Sequence, residues 1–167
     1  MITINYNNVD YRISKNSYFK HLLLRKDLLA LPPKIWWEML TKLYGLCLPS
    51  TLHEVLTAII TNYDKSDHIN VFYINNKPYW LDKNTRISLQ HLVDCSDQEV
   101  TLLIGNDLFT MSVDKAKDLL ARIEVYAGKC FLTTHNHLSN IKELQELDAL
   151  INYDYIYGYP EPLTFEL

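Results

Sequence analysis

Glycine is scarce in this chain, with 4 in 167 residues, and the four stand alone at Gly45, Gly105, Gly128 and Gly158. Isolated glycines cannot build a phosphate-cradling loop or a dinucleotide-binding fingerprint, both of which need several within a few residues. Cysteine is equally sparse: Cys47, Cys95 and Cys130 are far apart, odd in number and form no C-x-x-C pair. Neither a zinc site nor a disulfide framework is signalled, and three buried small hydrophobes are expected. There is no G-x-S-x-G, and no cysteine sits in a recognisable nucleophile signature. No apolar run approaches the ~18 residues that span a bilayer. The opening MITINYNNVDYRI lacks the basic region and apolar core of a secretory signal, so synthesis and residence in a reducing cytosol are expected. An excess of basic residues is missing too: 16 basic against 20 acidic residues leave a formal charge of −4. That balance disfavours broad nucleic-acid binding, which needs a positive footprint.

What is present is ordinary for a globular protein, with 48% apolar and 22% charged residues. A chain of this length buries roughly two thirds of its unfolded surface and needs no metal or disulfide staple. Twelve tyrosines are the compositional excess.

Residues 2–13 alternate apolar and polar around Asn7-Asn8 and predict a β-hairpin. Residues 17–31 predict one helix, with Ser17 as cap, Tyr18, Leu22, Leu23, Leu28 and Leu29 on its apolar stripe, and Pro32-Pro33 as its stop. A second helix runs from Pro33 to about Tyr44, ended by Gly45. A third opens at Pro49-Ser50-Thr51, where Thr51 and Glu54 have capping-box spacing. The polar stretch 62–70 is the best internal boundary. It separates an N-terminal hairpin and three-helix unit, 1–69, from a second domain, 70–167.

That second domain contains two blocks of hairpin plus capped helix, aligned without a gap at a period of 30 residues. Ile74 matches Ile104, Asn76 matches Asn106, Tyr79 matches Phe109 and Leu81 matches Met111. The caps Asp82 and Ser112 coincide, as do Leu89 with Leu119 and Val93 with Ile123. Duplication and a chance coincidence of turns and caps both account for this. From Val113 the apolar pattern is sustained through Ala116, Leu120, Ile123, Ala127, Cys130 and Thr134, and on to Leu138, Ile141 and Leu144. A pattern so long fits a projecting helix or two helices in succession. Two helices are the expectation, because residues 133–140 are rich in helix-indifferent polar types. The tail, 151–167, carries prolines, a glycine and four tyrosines, and predicts an extended aromatic arm. The fold class expected is α+β.

Candidate chemistry is thin. His135 and His137 are two apart, so on a helix they do not share a face, and no metal site is expected. Glu143, Glu146 and Asp148 read as a solvated face. No catalytic residue and no cofactor emerge, and an enzyme is not expected. The aromatics offer more. Trp36 and Trp37 point about 100° apart on a helix, so one enters the core and the other is either on a second packing surface or an exposed anchor for a partner. Tyr79 and Trp80 face opposite sides of a strand. The arm presents Tyr153, Tyr155, Tyr157, Tyr159 and Phe165. These nine are the expected partner-contact residues.

The C-terminal half carries a recognisable string. It starts at Tyr79-Trp80-Leu81-Asp82 and continues through Thr85-Arg86, Leu89, Val100-Thr101-Leu102 and Thr110-Met111-Ser112. Ala116, Leu119-Leu120, residues 123–127, Cys130, His137-Leu138 and Ile141 follow. It closes on Tyr153-Asp154-Tyr155, Gly158-Tyr159-Pro160-Glu161 and Leu163-Thr164-Phe165. Residues 70–167 resemble a domain of unknown function found in tail and tail-fibre-associated proteins of bacteriophages of gut Bacteroidales. The resemblance implies a non-enzymatic bacteriophage structural or assembly protein, a tail or connector component or a tail-fibre-associated factor. Its partners would be other phage structural proteins and further copies of itself in an oligomer, with no membrane and no small-molecule substrate. It would act in the host cytoplasm during assembly, with the virion as its further destination. The alternative is a phage-encoded inhibitor of a host defence or regulatory protein, whose aromatic, net negative surface occupies a host site.

Overall fold

A computed structural model describes all residues, 1–167, and the fold is α+β. Chain contacts group it into two compact units, residues 1–65 with 133–157 and residues 66–132 with 158–167. The first cut falls inside the polar stretch 62–70. The simple division at 69/70 is corrected by the return of 133–157, and the reason is apolar: Ile141 and Leu150 are buried in the first unit's core, with Leu138, Leu144 and Leu147 packed around them.

The first unit opens with strands β1 (Ile2–Tyr6) and β2 (Val9–Ile13), antiparallel with Tyr6 opposite Val9. Asn7 and Asn8 both take left-handed φ, 50° and 64°, the pattern of the two-residue turn that matches strand twist. The single helix expected over 17–31 is instead two short ones, α1 (Phe19–Leu22) and α2 (Lys26–Leu29). Arg25 is extended between them. Its guanidinium reaches back to the Arg12 carbonyl, 3.1 Å away, and pairs with Asp27 in the first turn of α2. Tyr18 lies outside the helix and is exposed, not on a buried stripe.

Helix α3 (Pro33–Tyr44) starts and stops as expected, with Gly45 at φ 78° accepting the left-handed C-cap. Helix α4 (Pro49–Asp64) begins with Pro49 at its first position and no side-chain cap. Thr51 already lies inside it, and Glu54 pairs with Lys20 rather than closing a capping box. Trp36, Met39, Leu40, Leu52, Val55, Leu56, Ile59 and Ile60 form the unit's fully buried centre.

The second unit holds the two blocks. Strands β3 (Phe72–Ile74) and β4 (Lys77–Tyr79) turn at Asn75 and Asn76, with φ 50° and 64°, and Asp82 caps α5 (Lys83–Asp94) through the amides of Asn84 and Thr85. Strands β5 (Glu99–Ile104) and β6 (Asp107–Ser112) turn at Gly105, φ 62°. The Ser112 hydroxyl accepts the Lys115 amide at the start of α6. The thirty-residue correspondence holds in three dimensions: Ile74 and Ile104, Leu81 and Met111, Leu89 and Leu119, Val93 and Ile123 are buried in one core.

Helix α6 is continuous from Val113 to Glu143, which corrects the expectation of two helices over this span. Polar residues 133–140 stay helical because tertiary partners outweigh their weak propensity. Thr134 donates to the Asp64 carboxylate at 2.6 Å, and His137 is held between the Tyr153 hydroxyl and the Tyr157 carbonyl, both at 2.8 Å. The carbonyl can only accept, so Nε2 is the donor to Tyr157. After α6 come the short helix α7 (Leu147–Ile151) and an irregular stretch. The chain then ends in β7 (Thr164–Phe165), which pairs parallel with β3. The tail is therefore irregular and extended, as expected, but its end is a strand of the second unit's sheet.

Cys47 and Cys130 are buried, but Cys95 is exposed at the end of α5, with its sulfur 3.9 Å from His91 Nε2. Burial raises the Cys47 thiol above its ordinary value. In the native protein a maleimide should therefore label Cys95 alone within minutes. Intact mass should show one adduct in buffer and three in denaturant. Rapid native labelling of all three would contradict the packing around Cys47 and Cys130.

Candidate protein-contact site

The aromatics expected at a partner surface mostly hold the chain's own structure. Trp36 is 0% exposed and donates its indole N–H to the Leu28 carbonyl at 2.8 Å. Phe165 is buried against Phe72 and under the Arg122 guanidinium, 4.6 Å from the ring centre. Burial removes both from the list of surface contacts. Trp37 packs half-buried on the first core. The half-buried Trp80 meets Tyr126 edge-on, with Arg86 over its face. Tyr153 bonds His137, and Tyr155 packs edge-on against Tyr63, where burial raises its hydroxyl above the ordinary value. Tyr159 is half-buried. Of the nine, only Tyr157 is broadly exposed, at 79%.

Tyr79 joins a small electrostatic junction. Its hydroxyl donates to Asp107 at 2.6 Å, and the Lys77 ammonium reaches the same carboxylate oxygen at 2.5 Å. The hydrogen bond from Lys77, then that from Tyr79, holds the Asp107 carboxyl below its ordinary 3.8. A depressed folded value means the junction is fully stabilising above that pH and is lost as pH falls below it. The acid limb of a thermal-stability profile should therefore flatten in Asp107→Asn. An unchanged acid limb would show that the junction carries no linkage.

The exposed apolar surface lies elsewhere. In the first unit, Ser17, Tyr18, Phe19, Tyr44, Leu46, Leu48 and Thr51 line a cleft of about 360 Å³. Tyr18 is 74% exposed, Leu46 64% and Leu48 51%. Local geometry explains them. The left-handed Gly45 ends α3, and Pro49 starts α4 four residues later, so the connection is short. Within it Cys47 turns inward, while Leu46 and Leu48 turn out. The Tyr44 hydroxyl donates to the Ser17 carbonyl at 2.6 Å and fixes one wall, and the Tyr18 ring meets His21 edge-on. In the second unit, Ala121, Val125, Tyr126 and Lys129 of α6 face Pro160, Glu161 and Leu163 across a groove of about 340 Å³.

Sequence reading missed Leu46 and Leu48 and placed Tyr18 on a core stripe. The available signal was the run Gly45-Leu46-Cys47-Leu48-Pro49. Bounded by a helix stop and a helix start, it is too short to bury three apolar side chains on one side. Chemically the cleft offers contact area with few polar groups, which suits an apolar side chain of another protein. No helix of the chain is long and apolar enough to cross a membrane. Comparison with protein-family models, with curated proteins and with solved structures finds no match.

Proposed function

We propose that this is a non-enzymatic bacteriophage structural or assembly protein that works through protein–protein contacts. The observation that carries the contact role is the cleft at Tyr18, Leu46 and Leu48. Contiguous exposed apolar side chains on a folded chain mark sites that a partner covers. Tyrosine and leucine at the rim supply area at low ordering cost, since tyrosine fixes only two torsions. The bacteriophage setting is supported by the residue string of 70–167 and its resemblance to tail-associated domains.

A photo-crosslinking residue, p-benzoylphenylalanine, in place of Tyr18 tests the reading in infected cells. The expected product joins the protein to a phage structural protein or to another copy of itself, and is lost when Leu46→Glu is added. A product with a host protein instead would move the assignment to an inhibitor. No discrete product, with the variant folded and expressed, would sink the contact role of this cleft.

A further inference from the structure

The two blocks of the second unit meet through equivalent residues. Lys77 pairs with Asp107, thirty positions on, and Tyr79 meets Phe109 edge-on at 5.8 Å. Contacts between like positions are what a two-fold arrangement of two like units produces. Phe72 and Leu102, the equivalent central strand residues, are both fully buried.

One element has no counterpart. The outer edge of β3 is occupied by β7: the Tyr73 amide donates to the Leu163 carbonyl at 2.8 Å and the Asn75 amide to that of Phe165 at 2.9 Å. The Asn75 side chain adds two bonds to the Leu167 backbone. On the second block, β5 pairs with β6 alone. The equivalent donors are the amides of Leu103 and Gly105. Ile104 and Asp107 close the hairpin, so the Leu103 backbone points away from β6.

Two further features mark this edge. Natural sheets blunt exposed edges with lysine or proline. Strand β4 does so with Lys77 and Pro78, whereas β5 has neither, and its Leu103 is 55% exposed. Moreover, Arg122, which covers Phe165 on the occupied side, corresponds to Leu92, an apolar residue left 45% exposed.

We infer that the outer edge of β5 docks an extended segment of a partner protein. The segment runs parallel to β5 with an apolar–polar–apolar pattern, as Leu163-Thr164-Phe165 does on β3. Main-chain bonds to Leu103 and Gly105 supply the affinity, and Leu92 selects an uncharged apolar anchor. A second copy's own arm is the poorer occupant, because Asn75 clamps that arm in place and Gly105 has no side chain to do the same. The inference rests on the protein-contact reading and is independent of the bacteriophage setting.

The test is an NMR titration of the full chain, labelled with ¹⁵N, using the capped peptide PLTFEL as the probe. Saturable shifts are expected at the Leu103 and Gly105 amides. Leu103→Pro should abolish them, because it removes an outward donor as Pro78 already does on β4, without cutting the hairpin ladder. Leu92→Lys, at an exposed helix position, should weaken binding about tenfold through one lost apolar contact. Shifts confined to Tyr73 and Asn75 would mean that the peptide merely displaces the native arm, and would overturn the inference. So would no shifts at millimolar peptide, or concentration-dependent changes at β5 without peptide, which would assign the edge to a second copy. None of these outcomes bears on the Tyr18 crosslink, so failure of the edge and failure of the broader reading are distinguishable.

Discussion

Trp36→Ala should cost about 3–5 kcal/mol, the range for emptying a buried large aromatic site. The indole is fully buried among Met39, Leu40 and the α4 stripe, and it is the donor to the Leu28 carbonyl. Removing it leaves a cavity and takes one of two hydrogen bonds from the Leu28 carbonyl, which keeps the Leu31 amide at 2.9 Å, so the cavity is the larger loss. Against a total stability of about 5–15 kcal/mol, such a loss is a large fraction of the whole. Trp36→Phe separates the two effects. It keeps most of the apolar volume and loses only the indole hydrogen bond, the Leu28 carbonyl keeping the Leu31 amide, so its cost should be about 0.5–1.5 kcal/mol. Urea unfolding followed by circular dichroism measures both. Equal stability of Trp36→Ala and the parent would show that the first core does not close on this residue.

Phe72→Ala should have a comparable cost, about 3–5 kcal/mol, and a more specific signature. Phe72 is fully buried between Tyr79 and Phe165, with ring centres 6.2 and 6.0 Å away. It is therefore the floor on which the C-terminal strand rests as well as a core residue of β3. Its loss should release β7 before the rest of the unit. Hydrogen exchange should show the Tyr73 and Asn75 amides, which bond the Leu163 and Phe165 carbonyls, losing protection first. Amides bonded within the β5–β6 hairpin should keep theirs at low denaturant. Uniform loss of protection across both blocks would mean that the arm is not separately anchored by Phe72.

Hairpins and most helix ends were legible because their causes are local. Asn-Asn supplies two left-handed positions, Asp82 and Gly45 cap by their own chemistry, and Pro33 and Pro49 can start a helix but not continue one. The break between α1 and α2 was hidden by the run Leu22-Leu23-Leu24, which satisfies helical periodicity in any register. It was set by Arg25 reaching Arg12, a contact thirteen residues away. The unbroken α6 was missed for the converse reason: Thr134 and His137 find partners only in the folded chain. The aromatic excess showed that large surfaces are joined, but composition carries no information about which side of a helix or strand is covered. Hence Trp36 and Phe165 proved to be core, while Leu46 and Leu48, lying in a short connection without periodicity, emerged as surface.

A sucrose gradient of infected-cell lysate beside purified particles, with every fraction quantified by mass spectrometry, tests the central claim most directly. The account predicts that this protein co-sediments with phage structural proteins, in finished particles or in assembly intermediates. It also predicts that Leu46→Glu shifts the protein toward the top of the gradient. Recovery of the parent protein only at the top, as a free monomer apart from every structural protein of the phage, would contradict it.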